Sequence, residues 1–315
     1  MTILFSSTNE SKELAKKYGY KEWMISRFMN YIPNVDEFLN SMENFRYKYI
    51  RLNSLKRDPK YIKDRLRNKG FELKDTVIDE VYQVNSIYPL GATTEYLLGY
   101  YYIQDLSSCI AVKALDPKPF EDNIDMCASP GGKSSYIAQL MNNQGLLVAI
   151  EANKDRLSAL LSNLSRCGVS NATIFNMDAT NASLLSLKFD KVMLDAPCSC
   201  EGVIPKDIER RYNREPKDIE YCSIIQKRLL DEAIKIVKDD GIIVYSTCSF
   251  APEEDEAIID YAIKRYNVKI EPLPYGSEGL SKFGDLVFDQ QVRNARRFYP
   301  HIHNTLGFFI AKIRL

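Results

Sequence analysis

The chain has no apolar run approaching the ~18 residues that a membrane-crossing helix requires, so no spanning segment is expected. It has no net charge, with 42 Lys and Arg against 42 Asp and Glu, which excludes a wholly basic protein that coats nucleic acid. Histidine is nearly absent. His301 and His303 are the only two, and both lie far in sequence from every cysteine. No C-x-x-C occurs, and the seven cysteines are an odd number. Met1 to Glu10 has no basic stretch leading into an apolar one, so no secretory signal is read there. Together these features argue against a disulfide framework and for a cytoplasmic protein. Cys198 and Cys200 make a C-x-C, but without a second pair no zinc centre is expected. Internal repeats and low-complexity tracts are also lacking.

What is present is unevenly placed. From Arg46 to Lys69 there are ten basic residues against Asp58 and Asp64. A local basic surface binds phosphates even on a neutral protein, although a solvated helix face has the same composition. Arg46, Lys48, Arg51 and Lys56, with Arg293, Arg296 and Arg297 near the C-terminus, are the candidate RNA phosphate contacts.

At 315 residues the chain has room for two domains, or for one with a large appendage. Residues 10 to 44 read as short helices, with Leu14, Ala15, Trp23, Met24, Phe28 and Met29 at helical spacing. Tyr47 to Leu55 alternates like a strand, Asp58 to Lys69 is a helix ended by Gly70, and Phe71 to Glu80 and Val81 to Ile87 are extended. Small RNA-binding modules are built from such a unit, as are many others. From Ser107 helices and strands alternate, with strands expected at Asn123–Met126, Gly145–Ile150, Ala172–Met177, Lys191–Leu194, Gly241–Ser246 and Gly307–Ile313. Helices are expected at Lys133–Met141, Lys154–Cys167, Lys217–Lys238 and Pro252–Tyr266. Alternation of this kind predicts a parallel sheet covered on both faces. The domains expected are a helical segment 1–45, a small α/β module 46–105 and an α/β domain 106–315.

The first strand and turn of that domain lead through Asp125-Met126-Cys127-Ala128-Ser129-Pro130-Gly131-Gly132-Lys133-Ser134. A P-loop fails here, because Cys127 stands where the motif needs its first glycine and Pro130 removes an amide. The dinucleotide pattern G-x-G-x-x-G fails too. A Gly-Gly turn still lets a bulky ligand approach the backbone. Glu151 closes the next strand, where a ribose-binding acid belongs. Asp178 closes the one after, placed to accept from an adenine amino group, and Asp195 closes the fourth. An adenosine pocket with acids and no phosphate cradle suits S-adenosylmethionine, whose sulfonium is cationic.

Asp195 leads directly into Pro197-Cys198, and the strand Gly241–Ser246 runs into Thr247-Cys248. Neighbouring strands would bring two thiols and a carboxylate to one crevice. A thiolate added at carbon 6 of cytosine, with a proton supplied at nitrogen 3, makes carbon 5 nucleophilic enough to take a methyl group. With no histidine nearby in sequence, Lys133, local amides or the sulfonium must favour the thiolate. Spacing leaves open which cysteine attacks.

These segments resemble the Nol/Nop/Sun (Fmu) RNA cytosine-5 methyltransferases, over about Leu14 to Ile313. The similarity is carried by Tyr49–Lys56, Tyr102–Ser108, Asp125–Lys133, Asp190–Gly202, Tyr245–Phe250 and Arg297–His301. It implies a class I methyltransferase (Rossmann-like) doubly wound, mostly parallel sheet after a smaller N-terminal α/β RNA-binding-like module. It also implies that Cys248 is the nucleophile, that Cys198 assists product release, and that Asp195 contacts the base near nitrogen 3. The implied cofactor pocket is Cys127, Ala128, Pro130, Gly131, Gly132, Lys133, Glu151, Arg156, Asp178 and Asp195, with Lys133 also in the active site. Within the family the chain is most similar to archaeal tRNA enzymes. A monomer acting on tRNA without a metal is therefore expected. The alternatives are an rRNA substrate, or a non-catalytic RNA-binding ribosome-assembly factor. The family usually has glycine where this chain has Cys200, and a side chain there narrows the loop's conformations.

Overall fold

Short apolar runs bounded by Asp, Gly and Pro become strands, and the order in which they pair decides where ligands can approach. The computed structural model describes residues 2–315. Two compact units interleave along the chain. One comprises Tyr47–Asp195 with Asp231–Val244, and the other comprises the residues up to Arg46 with Ala196–Leu230 and Tyr245–Arg314.

The first unit opens with β1 (Tyr49–Leu52), β2 (Glu72–Asp75), β3 (Val81–Asn85) and β4 (Tyr101–Ile103), antiparallel in the order β2-β3-β1-β4. Its helix, Pro59–Asn68, starts where Asp58 accepts from the amides of Lys60 and Tyr61 at 2.9 and 3.2 Å, with proline at the first position. It stops before Gly70, whose φ of 83° only glycine adopts readily. Ile62 and Leu66, four apart on one face, are buried among Ile50, Leu52, Phe71, Tyr82, Val84 and Tyr101. Each such side chain stabilises the unit by about 1.5–3 kcal/mol. The tyrosine run therefore holds a strand that sequence periodicity does not reveal. β4 has only three residues, and Tyr101 and Tyr102 are buried in it.

Next come β5 (Asp122–Asp125), β6 (Leu146–Ile150), β7 (Ala172–Phe175), β8 (Phe189–Asp195) and β9 (Val237–Thr247). They are ordered β9-β8-β5-β6-β7, with β8, β5, β6 and β7 mutually parallel. Leu147, Val148, Ala149 and Ile150 are consecutively buried, as in a strand covered on both faces. The chain winds from β5 outward through β6 to β7, then returns to β8 on the other side of β5. That reversal is a topological switch point, and ligands bind at the carboxyl ends of the strands flanking it. Here those ends carry Asp125 and Asp195. β9 begins at Val237, earlier than the expected Gly241, and its Lys238 pairs with Asp122 and Asp190 at 3.0 and 2.9 Å. Its residues from Tyr245 belong to the second unit.

In the second unit the helices Asn9–Tyr18, Glu22–Phe28 and Val35–Glu43 match the expected helical spacing. Phe28 and Phe38 meet each other and Phe250 edge to face, with ring centroids 5.1–6.1 Å apart. β10 (Lys269–Glu271), β11 (Ser277–Glu278), the hairpin β12 (Lys282–Phe283) and β13 (Leu286–Val287), β14 (Arg296–Phe298) and β15 (Phe308–Arg314) follow. β10 and β14 flank β15 antiparallel, and β11 pairs with β14. Two of the six strands contain three residues and three contain two, too few for period-2 patterning to show.

Candidate active site

At the first turn Gly131 has φ 101°, and an added Cβ would lie 3.2 Å from the Leu160 side chain. Glycine therefore sets the start of the helix Gly132–Leu140, which carries Lys133 in its first turn. The Lys133 ammonium lies 2.6 Å from the Asp195 carboxylate at the end of β8. Asp125, ending β5, is buried. It accepts from the Ser134 hydroxyl at 2.6 Å and the Cys127 amide at 3.3 Å, and burial pushes its carboxyl up to about 6. Sequence reasoning passed over Asp125 as a site residue, although it closes its strand as Glu151 and Asp195 close theirs.

Glu151, just past β6, is buried and accepts from the Asn153 amide at 2.8 Å, with Arg156 at 3.6 Å. Arg156 also donates to the Ser129 carbonyl at 2.8 Å, which ties it to the glycine turn. The Pro130 carbonyl is held at 2.9 Å by Asn163. Asn176 donates to the carbonyls of Glu151 and Ala152, at 2.7 and 3.1 Å. Asp178 is exposed and caps the 3-10 turn Ala179–Leu185 through the Thr180 amide at 2.9 Å. Cys127 and Gly132 are half-buried and Ala128 is buried along the same turn.

The thiols lie in the second unit. Cys198 Sγ is 3.4 Å from Cys248 Sγ and 3.7 Å from Cys200 Sγ. One buried carboxylate holds both cysteine loops. Glu254 accepts from the Ser199 amide at 2.8 Å and the Ser199 hydroxyl at 2.6 Å, and also from the Ser249 hydroxyl. Gln226 donates to the Pro197 carbonyl at 2.9 Å and reaches Glu254 at 3.4 Å. The Gly202 amide donates to the Cys248 carbonyl at 2.8 Å, and a Cβ at Gly202 would meet the Gly307 carbonyl oxygen at 2.3 Å. Thr247, preceding Cys248, donates to Asp255 at 2.6 Å. Glu254 was not a sequence candidate. The only signal was its place in the acidic run Glu253–Glu256, which reads as a surface.

Burial pushes Glu254 up to about 8, against the pull of its serine donors. Within the thiol cluster, hydrogen bonds from Cys198 and Cys248 hold Cys200 down at about 3, while the same bonds push Cys198 well up.

The basic candidates divide sharply. Arg46 and Lys48 are exposed and Lys56 is half-buried. Arg51, expected at a phosphate, is instead fully buried. It donates to Ser135 at 2.9 Å and Gln104 at 3.2 Å, and also to Gln139, which docks β1 on the helix Gly132–Leu140. Arg297 is likewise withdrawn. It is buried on Glu256, with one bond at 2.6 Å, and donates to the Phe250 carbonyl at 3.0 Å. A guanidinium committed to a buried carboxylate cannot also reach RNA. Arg296 spends its donors on the carbonyls of Leu273, Arg293 and Ala295, and exposed Arg293 pairs with Glu278 at 2.6 Å. Arg65 of the basic helix and Lys69 just past its end both pair with buried Glu95, at 2.6 and 2.7 Å. No helix among the described residues is long and apolar enough to cross a membrane.

A parallel sheet ordered around a switch point, with acids ending β5, β6 and β8 and a glycine turn after β5, defines a class I, Rossmann-like methyltransferase fold. The family model described as 16S rRNA methyltransferase RsmB/F matches residues 112–314, and the chain belongs to that family. A 28S rRNA (cytosine-C(5))-methyltransferase of Mus musculus is 43% identical over 96% of this chain, which spans 40% of the mouse protein. The tRNA (cytosine(49)-C(5))-methyltransferase of Pyrococcus abyssi is 35% identical, over 96% of this chain and 98% of that one. A crystal structure of a methyltransferase homolog from Pyrococcus horikoshii superposes with a TM-score of 0.89 at 37% identity, covering 98% and 99% of the two chains.

Proposed function

We propose that the chain is an S-adenosylmethionine-dependent RNA cytosine-5 methyltransferase acting on tRNA. The observation that carries this reading is the pair of thiols 3.4 Å apart, with their loops fastened to one buried carboxylate. Inert filler cysteines need no such fastening.

The residues at the strand ends fit the cofactor. Asp125, Glu151 and Asp195 make an acidic floor for a cationic ligand, and the Gly131 turn lets it approach the backbone. Asp178, already a cap, retains one oxygen for an amino group. The bound cofactor supplies the methyl group as an electrophile.

By the family resemblance, Cys248 adds as thiolate to carbon 6 of cytosine and Asp195 contacts the base near nitrogen 3. The proton needed there is available from the Lys133 ammonium, 2.6 Å from Asp195. Carbon 5, now nucleophilic, takes the methyl group. Cys198, joined to Asp195 through Ala196 and Pro197, removes the proton from carbon 5. The ring double bond re-forms, the Cys248 thiolate leaves, and nitrogen 3 returns its proton to Lys133. Cys248 is assigned the attack from the family resemblance, since the two thiols are geometrically equivalent partners.

Residues 46–105 serve as the RNA-binding module. tRNA is favoured because the relative matched along nearly all of both chains is named for tRNA; the mouse relative's name makes rRNA the alternative substrate. Labelled methyl transfer to transcripts, followed by bisulfite mapping, tests both levels. Cys198→Ala is expected to accumulate a denaturation-resistant protein–RNA adduct. Full turnover in Cys248→Ala would overturn the assignment of the nucleophile, and absence of cofactor binding with RNA binding intact would overturn the enzyme reading.

A further inference from the structure

In sequence, Cys198 and Cys200 offer two metal ligands and no more. The fold adds a third, Cys248, from a loop fifty residues away. The three Sγ atoms lie within 4.8 Å of one another, with separations of 3.4 and 3.7 Å from Cys198. Tetrahedral zinc with Zn–S of about 2.3 Å places its sulfurs about 3.8 Å apart. These separations already approach that spacing. All three side chains are half-buried, so a cation can enter, and three ligands leave a fourth position for water or an external donor.

The placement of Cys200 supplies a second, independent observation. Its backbone is left-handed, φ 61° and ψ 35°, a conformation glycine adopts freely and other residues adopt at a cost of roughly 1–2 kcal/mol. A side chain stands where none is favoured, and its sulfur points onto the other two. The cluster is also held in advance of any ligand, by Glu254 bridging Ser199 and Ser249 and by the Gly202 amide on the Cys248 carbonyl.

We propose that Cys198, Cys200 and Cys248 form a binding site for a thiophilic divalent cation, zinc foremost, which masks the two cysteines assigned to methyl transfer. Soft thiolate ligands favour zinc over magnesium or calcium. Metal binding is the primary readout, so the proposal stands or falls apart from the methyltransferase reading.

The test titrates the full chain, fully reduced, with cobalt(II) as spectroscopic probe and with zinc(II) against a chromogenic chelator. One ion per chain is expected, with the sulfur-to-cobalt charge-transfer and visible bands of tetrahedral thiolate coordination. Cys200→Gly suits the left-handed backbone and should fold. It is expected to weaken zinc binding at least about 100-fold, beyond the loss typical of an outer partner. Cys198→Ala is expected to do the same, and Cys222→Ser to leave binding unchanged. Zinc should also inhibit labelled methyl transfer by the wild-type chain, reversibly on chelation and at higher concentration in Cys200→Gly. Absence of thiolate bands in the wild type, or zinc affinity equal in wild type and Cys200→Gly, would overturn the site.

Discussion

The strand ends of the first unit and the cysteine loops of the second use carboxylates in opposite ways. Asp195 is partly open and pairs with the Lys133 ammonium at 2.6 Å, at a strand end where a ligand can reach it. Glu254 is fully buried and spends itself on two serines and a backbone amide, so it keeps nothing for a ligand and fixes two loops. The first arrangement suits a group that must meet substrate. The second suits a group that acts through others, because a buried carboxylate becomes worth its desolvation only when several donors converge on it. A carboxylate's partners, more than its identity, tell binding from positioning.

The comparison breaks most visibly in two alanine variants. Asp195→Ala should lower the rate of methyl transfer about 100- to 10,000-fold, the range for losing a group that handles a proton. Its urea midpoint should fall less than that of Glu254→Ala, since the Lys133–Asp195 pair is only partly buried. Glu254→Ala should invert the pattern. It strands the Ser199 amide and two hydroxyls in a buried site and should cost about 3 kcal/mol or more by chemical denaturation. Unchanged stability in Glu254→Ala would dissolve the distinction between the two carboxylates.

Sequence revealed one half of this comparison and hid the other. Strand-end acids are visible because a short apolar run before an acid marks its own geometry; hence Glu151, Asp178 and Asp195, while Asp125 met the same criterion unused. Glu254 sits beside Glu253, Asp255 and Glu256, and nothing in that run says that all four are buried. Their partners, Arg27, Ser199 and Arg297 among them, come from distant segments. Cys200 hid for the same reason. Its neighbour in sequence is Cys198, but the third thiol arrives through β9.

Titration sharpens the contrast on a smaller scale. Glu254 is pushed up to about 8 from an ordinary 4.5. Between those values the folded chain keeps a proton that the unfolded chain releases, so its contribution is full below about pH 4.5 and is lost as pH rises through 8. The slope is at most about 1.4 kcal/mol per pH unit. Asp125, at about 6, and Glu201, at about 7, act in the same direction. Glu254→Gln isolates one term. The stability difference, wild type minus Gln variant, should shrink from pH 5 to pH 8 in urea titrations. A difference that stays level from pH 5 to pH 8 would mean that Glu254 is ionised throughout.

The smallest effect separates Lys48 from Arg51, three residues apart in one basic run. Lys48 is exposed, and its charge is free to act at a distance on phosphate. Arg51 is enclosed by Ser135, Gln104 and Gln139, so its charge is spent inside the unit. Lys48→Glu should weaken RNA binding several-fold and reduce the slope of log affinity against log salt by roughly 1, the signature of one lost phosphate contact. Arg51→Met should lower thermal stability while the salt slope of the folded protein stays as it was. A reduced slope in Arg51→Met would restore it as a phosphate contact and would require β1 to move away from the helix Gly132–Leu140 when RNA binds.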